Sequence, residues 1–126
     1  MKYFAIAAVC VMTSSQALAA SEQFDLVCGT TVQEDAQRLR VDLIANEWCR
    51  GDCKQIDRIQ EVTSGKITFR NEGDNSTRMT RRFLEVNRVT GVLQDVYDDH
   101  SGFSWNVSYQ CKPATFSEMR KGEAKF

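Results

Sequence analysis

The chain has 126 residues, with 16 Lys and Arg against 17 Asp and Glu, one His and a formal net charge of −1. So even a balance excludes long-range attraction to nucleic acid or to an anionic membrane surface. The length suits one domain with a single modest core, at a size where cross-links contribute materially to stability.

Residues 1–20 read as a signal peptide: Lys2, an apolar run over residues 3–12, then the small-residue exit Ala17-Leu18-Ala19-Ala20. The run is about half the roughly twenty residues that a spanning helix needs, and no later window is long and apolar enough to cross a bilayer. Cys10 lies inside the run, ahead of the exit, so it leaves with the peptide rather than serving as a lipidated residue. Residues 21–126 are then one domain without a linker or internal repeat, and its cysteines Cys28, Cys49, Cys53 and Cys111 belong to an oxidising compartment.

From the new N-terminus onward the dominant signal is period-two alternation, the mark of strands that bury one face. Phe24, Leu26 and Cys28 share a face; residues 32–37, with Gln, Glu, Asp and Ala, have the composition of one helical turn; Leu39, Val41 and Leu43 share the next strand face. Ile67 and Phe69 follow, and residues 79–88 and 92–97 read as meander strands between turns rich in Gly, Asn and Asp. The cleanest strand is Phe103-Ser104-Trp105-Asn106-Val107-Ser108-Tyr109-Gln110-Cys111, apolar or Cys at every odd position and polar at every even one. Pro113, the single proline, is expected after this last strand, where it interrupts no ladder bond. From there to Phe126 the composition turns polar and a loosely held tail is expected, with docking through Phe116 and Phe126 as the alternative. The predicted fold is all-β, an antiparallel meander of about six to eight strands, closed as a small barrel or folded as a sandwich.

Four cysteines allow three pairings. Cys28 shares its face with Phe24 and Leu26, and Cys111 with Trp105, Val107 and Tyr109, so both point inward and are expected to bond each other. Cys49 then bonds Cys53 across three residues. In the chain-entropy model the long loop contributes about 4 to 5 kcal/mol and the short one about 2. Structural zinc sites use paired short spacings, which Cys28 and Cys111 lack, and no Cys-x-x-Cys redox motif is present, so no metal or cofactor is expected.

No catalytic residues are assigned. His100 sits in the turn Asp98-Asp99-His100-Ser101-Gly102, and sequence neighbours in one turn do not take up the geometry of a nucleophile, base and orienting acid. Cys49-Arg50-Gly51-Asp52-Cys53 holds an Arg-Gly-Asp tripeptide in a small disulfide ring and resembles the integrin-binding loop of disintegrins. It is the candidate binding loop, Arg50, Gly51 and Asp52, although a tight connecting loop with Gly51 chosen for backbone freedom explains the same letters without the cysteine-dense framework of that family. The basic cluster Arg78, Arg81, Arg82 and Arg88 reads as charge guarding an exposed edge strand. Asn75-Ser76-Thr77 and Asn106-Val107-Ser108 fit the glycosylation triplet, of consequence in a eukaryotic secretory route alone.

Phe24-Asp25-Leu26-Val27-Cys28-Gly29-Thr30, the Leu39-Arg40-Val41-Asp42-Leu43 strand with Glu47-Trp48-Cys49 and Asp52-Cys53, the turn Asn87-Arg88-Val89-Thr90-Gly91 and the closing Cys111-Lys112-Pro113-Ala114 together resemble a set of small exported bacterial proteins with no assigned function. The resemblance implies a periplasmic or secreted location and carries over no catalytic residue. More distantly, a small β-barrel bridged near its ends resembles in layout the periplasmic inhibitors of C-type lysozyme, without a segment that matches their inhibitory loop. The expected function is a non-enzymatic binding module for a protein or envelope component. An enzyme inhibitor, an Arg-Gly-Asp adhesion ligand and a small hydrolase are the alternatives, and the oligomeric state stays open.

Overall fold

The computed structural model describes residues 22–73 and 80–119. The predicted signal peptide, the Asn75 triplet, Arg78 and Phe126 lie outside the described residues. Within them the chain forms β1 (Gln23–Gly29), β2 (Gln37–Asp42), β3 (Glu47–Arg50), β4 (Ile56–Arg58), β5 (Glu61–Val62), β6 (Lys66–Glu72), β7 (Arg81–Asn87), β8 (Val92–Asp98) and β9 (Ser104–Ala114). All pair antiparallel in one sheet of order β4-β3-β2-β1-β9-β8-β7-β6-β5. No helix occurs among the described residues. Residues 32–37, helical in composition, instead reverse the chain between the paired Cys28 and Gln37, and the Thr30 N–H donates to the Gln33 carbonyl at 2.8 Å. The Gln33 N–H is taken by the Thr30 hydroxyl at 3.2 Å and Gln37 is paired into β2, so the segment's polar groups are satisfied by a turn in place of a helix.

β4 and β5 end the sheet order on opposite sides, yet Ile59 and Gln60 alone separate them. The Ile59 N–H donates to Asn46 O beside β3 at 3.0 Å, and the Gln60 N–H to Thr68 O on β6 at 2.9 Å. One bent strand therefore supplies both edges, and the sheet curls into a half-barrel rather than a sandwich. Inside it Leu39, Val41, Trp48, Ile67, Phe69, Leu84, Val86 and Leu93 are buried, each worth about 1.5–3 kcal/mol for the larger aliphatic and aromatic side chains. The Trp48 and Phe69 rings meet across the interior with centroids 5.1 Å apart. A bulge between Thr68 and Arg70 turns Phe69 into this core while Arg70, opposite Leu84, also faces inward.

Cys28 lies directly opposite Cys111 where β1 meets β9, and the two are bonded; Cys49 is bonded to Cys53. The first bridge rivets the seam that joins the two ends of the meander. The second closes the β3–β4 turn on the convex face, where Cys49 stands opposite Arg40.

Three expectations are corrected by this arrangement. Pro113 lies inside β9, opposite Leu26. The Cys111 N–H donates toward β8, to Gly91 O at 2.8 Å; by alternation the Pro113 nitrogen faces the same way, past the last β8–β9 pair, Val92 with Gln110. No ladder bond is lost there. Second, β7 runs between β6 and β8, so Arg81 and Arg82 guard no edge: Arg82 turns into the barrel mouth and Arg88 donates to Thr63 O at the opposite end. Third, residues 115–119 are anchored less by Phe116, half-buried, than by a polar clasp on the convex face. Fully buried Asp25 accepts from Arg38 Nε at 2.7 Å and from the Ser117 N–H at 3.1 Å, Arg40 donates to Glu118 O, and Met119 is buried.

Candidate functional site in the barrel mouth

The half-barrel has a high wall and a low one because its strands differ in reach. β8 and β9 pair from Val92 with Gln110 out to Asp98 with Ser104, whereas β1 stops at Gly29, opposite Gln110. Alternation still aims Tyr97 and Trp105 inward, but β1 does not extend beside this part of β9. Trp105 is 38% exposed and Phe103 is 61% exposed, although the sequence pattern places both on a buried face.

Between the high wall and the top of β3 and β4 opens a cleft of about 380 Å³. Its apolar floor is Trp48 and Leu84. Above the floor one row of direct cross-strand partners, Glu72, Arg82, Tyr97 and Trp105, runs over β6, β7, β8 and β9. The Arg82 guanidinium sits 5.5 Å from the Tyr97 ring centroid, Tyr97 stacks on Trp105 at 4.3 Å, and Phe103 packs edge-on against both. A cation over a phenol over an indole is a rigid, amphipathic surface, stabilised by quadrupole attraction and holding few rotatable bonds.

Asp95, nearly buried, accepts from Trp105 Nε1 at 3.1 Å and faces the Arg50 guanidinium at 3.5 Å. Across the cleft Arg70 donates to Asp57 at 2.8 Å and lies over the Trp48 ring, 5.4 Å from its centroid. Cations and anions thus pair within the lining, Arg50 with Asp95 and Arg70 with Asp57, and Arg70 and Arg82 each lie over an aromatic ring. The Trp48 indole N–H, at the floor, has no hydrogen-bond partner among the described residues.

The candidate binding loop is divided between two environments. Arg50 is the last residue of β3 and turns inward to Asp95, while Asp52 stays exposed, 3.9 Å from Lys54. Gly51 has φ +62°, the left-handed conformation that glycine adopts without penalty, and the Cys53 N–H closes the turn on Arg50 O at 3.1 Å. His100 lies at the β8–β9 turn with its Nδ1 3.8 Å from Asp98. In the same turn the Ser101 hydroxyl and then the Ser101 N–H bond to Asp99 and hold its carboxyl below the ordinary value of 3.8. Among the described residues no three His, Cys, Asp or Glu side chains converge in a metal-holding group. Sequence reading missed Arg82, Asp95 and Tyr97 as site residues. Each occupies an ordinary strand position, and what groups them is the unequal length of β1 and β9.

Comparison of the chain with protein-family models, with curated proteins and with solved structures finds no match.

Proposed function

We propose that this chain is an exported, non-catalytic binding domain that seats a protein partner in the mouth of the half-barrel. The single observation that carries the reading is the Arg82–Tyr97–Trp105 stack beside the Arg50–Asp95 pair. Arg, Tyr and Trp in a partly desolvated, pre-ordered pocket are the residue types that dominate binding energy at protein interfaces. Such a surface suits a protein segment, whose docking meets little ordering entropy in side chains already held. Binding is favoured over hydrolysis because the inward carboxylates of the cleft are engaged, Asp95 by Trp105 and Arg50, Asp57 by Arg70, while Asp52 stands exposed at the rim beside Lys54. Export to the periplasm or medium is supported by two disulfides, and no helix among the described residues is long and apolar enough to cross a membrane. An enzyme inhibitor is the special case in which the seated partner is an enzyme.

Affinity capture with the oxidised protein, run in parallel with Trp105→Ala, Arg50→Ala and Asp52→Glu, tests the reading. A partner retained by the native protein and by Asp52→Glu, and lost from the other two, is the expected result. Loss in Asp52→Glu with retention in Trp105→Ala refutes the cleft and moves recognition to the Arg-Gly-Asp turn.

A further inference from the structure

β9 outruns the strand beside it. Beyond the Gly29–Gln110 pair, residues 104–109 have β8 on one side and no strand on the other among the described residues. The direction of the Cys111 N–H, toward Gly91 on the β8 side, sets the parity of the ladder. Tyr109, Val107 and Trp105 therefore bond to β8, and the N–H and C=O of Ser108, Asn106 and Ser104 point off the open edge. Free edges are ordinarily blunted by charge, proline or a bulge, yet this stretch carries no charged residue, no proline and no bulge. Its concave face shows exposed Phe103 and Trp105 and half-buried Val107 and Tyr109. Beside it, between residues 30–35 and 108–110, lies an open cavity of about 670 Å³.

We propose that a second copy of the chain adds to this edge, antiparallel, about a two-fold axis through Asn106. That register sets Asn106 against its own counterpart and Ser104 against Ser108, so the outward-facing backbone groups of both copies meet in hydrogen-bonded pairs, about six bonds in all at two per pair. It also opposes Trp105 to Val107 and Phe103 to Tyr109 on the concave face, the aromatic and β-branched pairs that stabilise neighbouring strands. A shift of one residue sets free groups against groups already bonded to β8. The sequence around the axis is self-complementary, small and polar at 104 and 108, and residues 103–109 are uncharged, so no like charges face each other between the paired strands. The apolar side chains left bare in one copy lie beside the same segment of the other, and the partner's hairpin tip, with Asp98 and Asp99, comes to the open cavity lined by Glu34, Asp35 and Lys112. The two clefts then share one continuous concave surface. Trp105 borders both the cleft and this edge, but the inference rests on the backbone groups of residues 104–108 and not on what the clefts bind.

Sedimentation velocity of the oxidised protein over a concentration series tests it. The native chain is expected to show a monomer–dimer equilibrium. Asn106→Lys and Asn106→Asp, each placing like charges face to face across the axis, raise the dissociation constant about tenfold or more. A one-to-one mixture of the two variants restores the dimer, because residue 106 faces itself on the axis alone. The Asn106 side chain is exposed, its N–H is not part of the β8 ladder, and the one bond its Oδ1 accepts, from Gln94 Nε2 at 3.2 Å, lies at the surface, so both variants keep the native circular dichroism spectrum. Should either misfold, Ser108→Pro, which removes another outward N–H, gives the same readout. A native protein that stays monomeric throughout, charge variants that dimerise like the native chain, or a mixture that stays monomeric overturns the proposal.

Discussion

Removing the Cys28–Cys111 bridge is expected to bring the domain close to global unfolding, whereas removing Cys49–Cys53 leaves it folded. The bonded residues are 83 apart in the first case and 4 in the second. Entered into the loop-closure relation, those separations give about 4.5 and about 2 kcal/mol of denatured-state destabilisation. The first bridge lies in the core seam, so Cys28→Ala with Cys111→Ala also deletes two buried sulfur atoms, adding about 1 kcal/mol of lost packing. A sum of about 5.5 kcal/mol is comparable to the whole stability of many small domains. Urea titrations of the native protein and of the two double-alanine variants, followed by tryptophan fluorescence, measure both costs. The long-bridge variant is also expected to show a larger m value, since its denatured chain expands further. An equal or greater loss on removing the short bridge refutes the reasoning, because chain entropy then does not govern either cross-link.

Asp25→Asn weakens the convex-face clasp at a fully buried site; a loss of about 2–3 kcal/mol, with faster proteolysis at residues 115–119, is the expected outcome by thermal melt and limited digestion. Unchanged protection of that segment counts against the clasp. Gly91 has φ +75°, and a Cβ there would stand 2.9 Å from the Cys111 carbonyl oxygen, so Gly91→Ala is expected to cost about 2 kcal/mol and to lower the melting temperature. The depressed Asp99 carboxyl makes its small contribution to stability above pH 3.8 and loses it as pH falls through the lower folded value; Ser101→Ala moves the titration back toward 3.8, which NMR of the side-chain carboxyl reads directly.

Where most of a strand's apolar side chains fall on one face, its sequence announces it. β1, β2 and the later part of β9 are of this kind, and Cys28 and Cys111 could be placed on inward faces before any coordinates, whereas the burial of Asp25 and Arg40 on the opposite face under the C-terminal clasp left no mark in the pattern. β3 gave no such signal: Trp48 and Cys49 are adjacent and both buried, one in the core and the other under its own disulfide on the convex face. β4 and β5 are too short to carry a period. The cleft was the least legible part. Trp105 alternates like a core residue, and its exposure follows from β1 ending opposite Gln110, a relation between segments some eighty positions apart. Arg50 looked like a displayed loop residue because Asp95, which draws it inward, lies on a distant strand.

The corner at Ile59 and Gln60 makes the order of pairings cyclic. Each strand neighbours the next one in sequence, the bent strand passes the chain from β3 to β6, and β1 against β9 joins the last link to the first. Asp25 opposite Ala114 holds the described ends side by side. The fold consequently has no privileged starting point: a short linker joining those ends and a cut at the exposed Thr63-Ser64-Gly65 turn preserve every strand pair. Circularly permuted versions of the chain are thus compatible with the same half-barrel, and an insertion made in that turn stands at the end opposite the cleft.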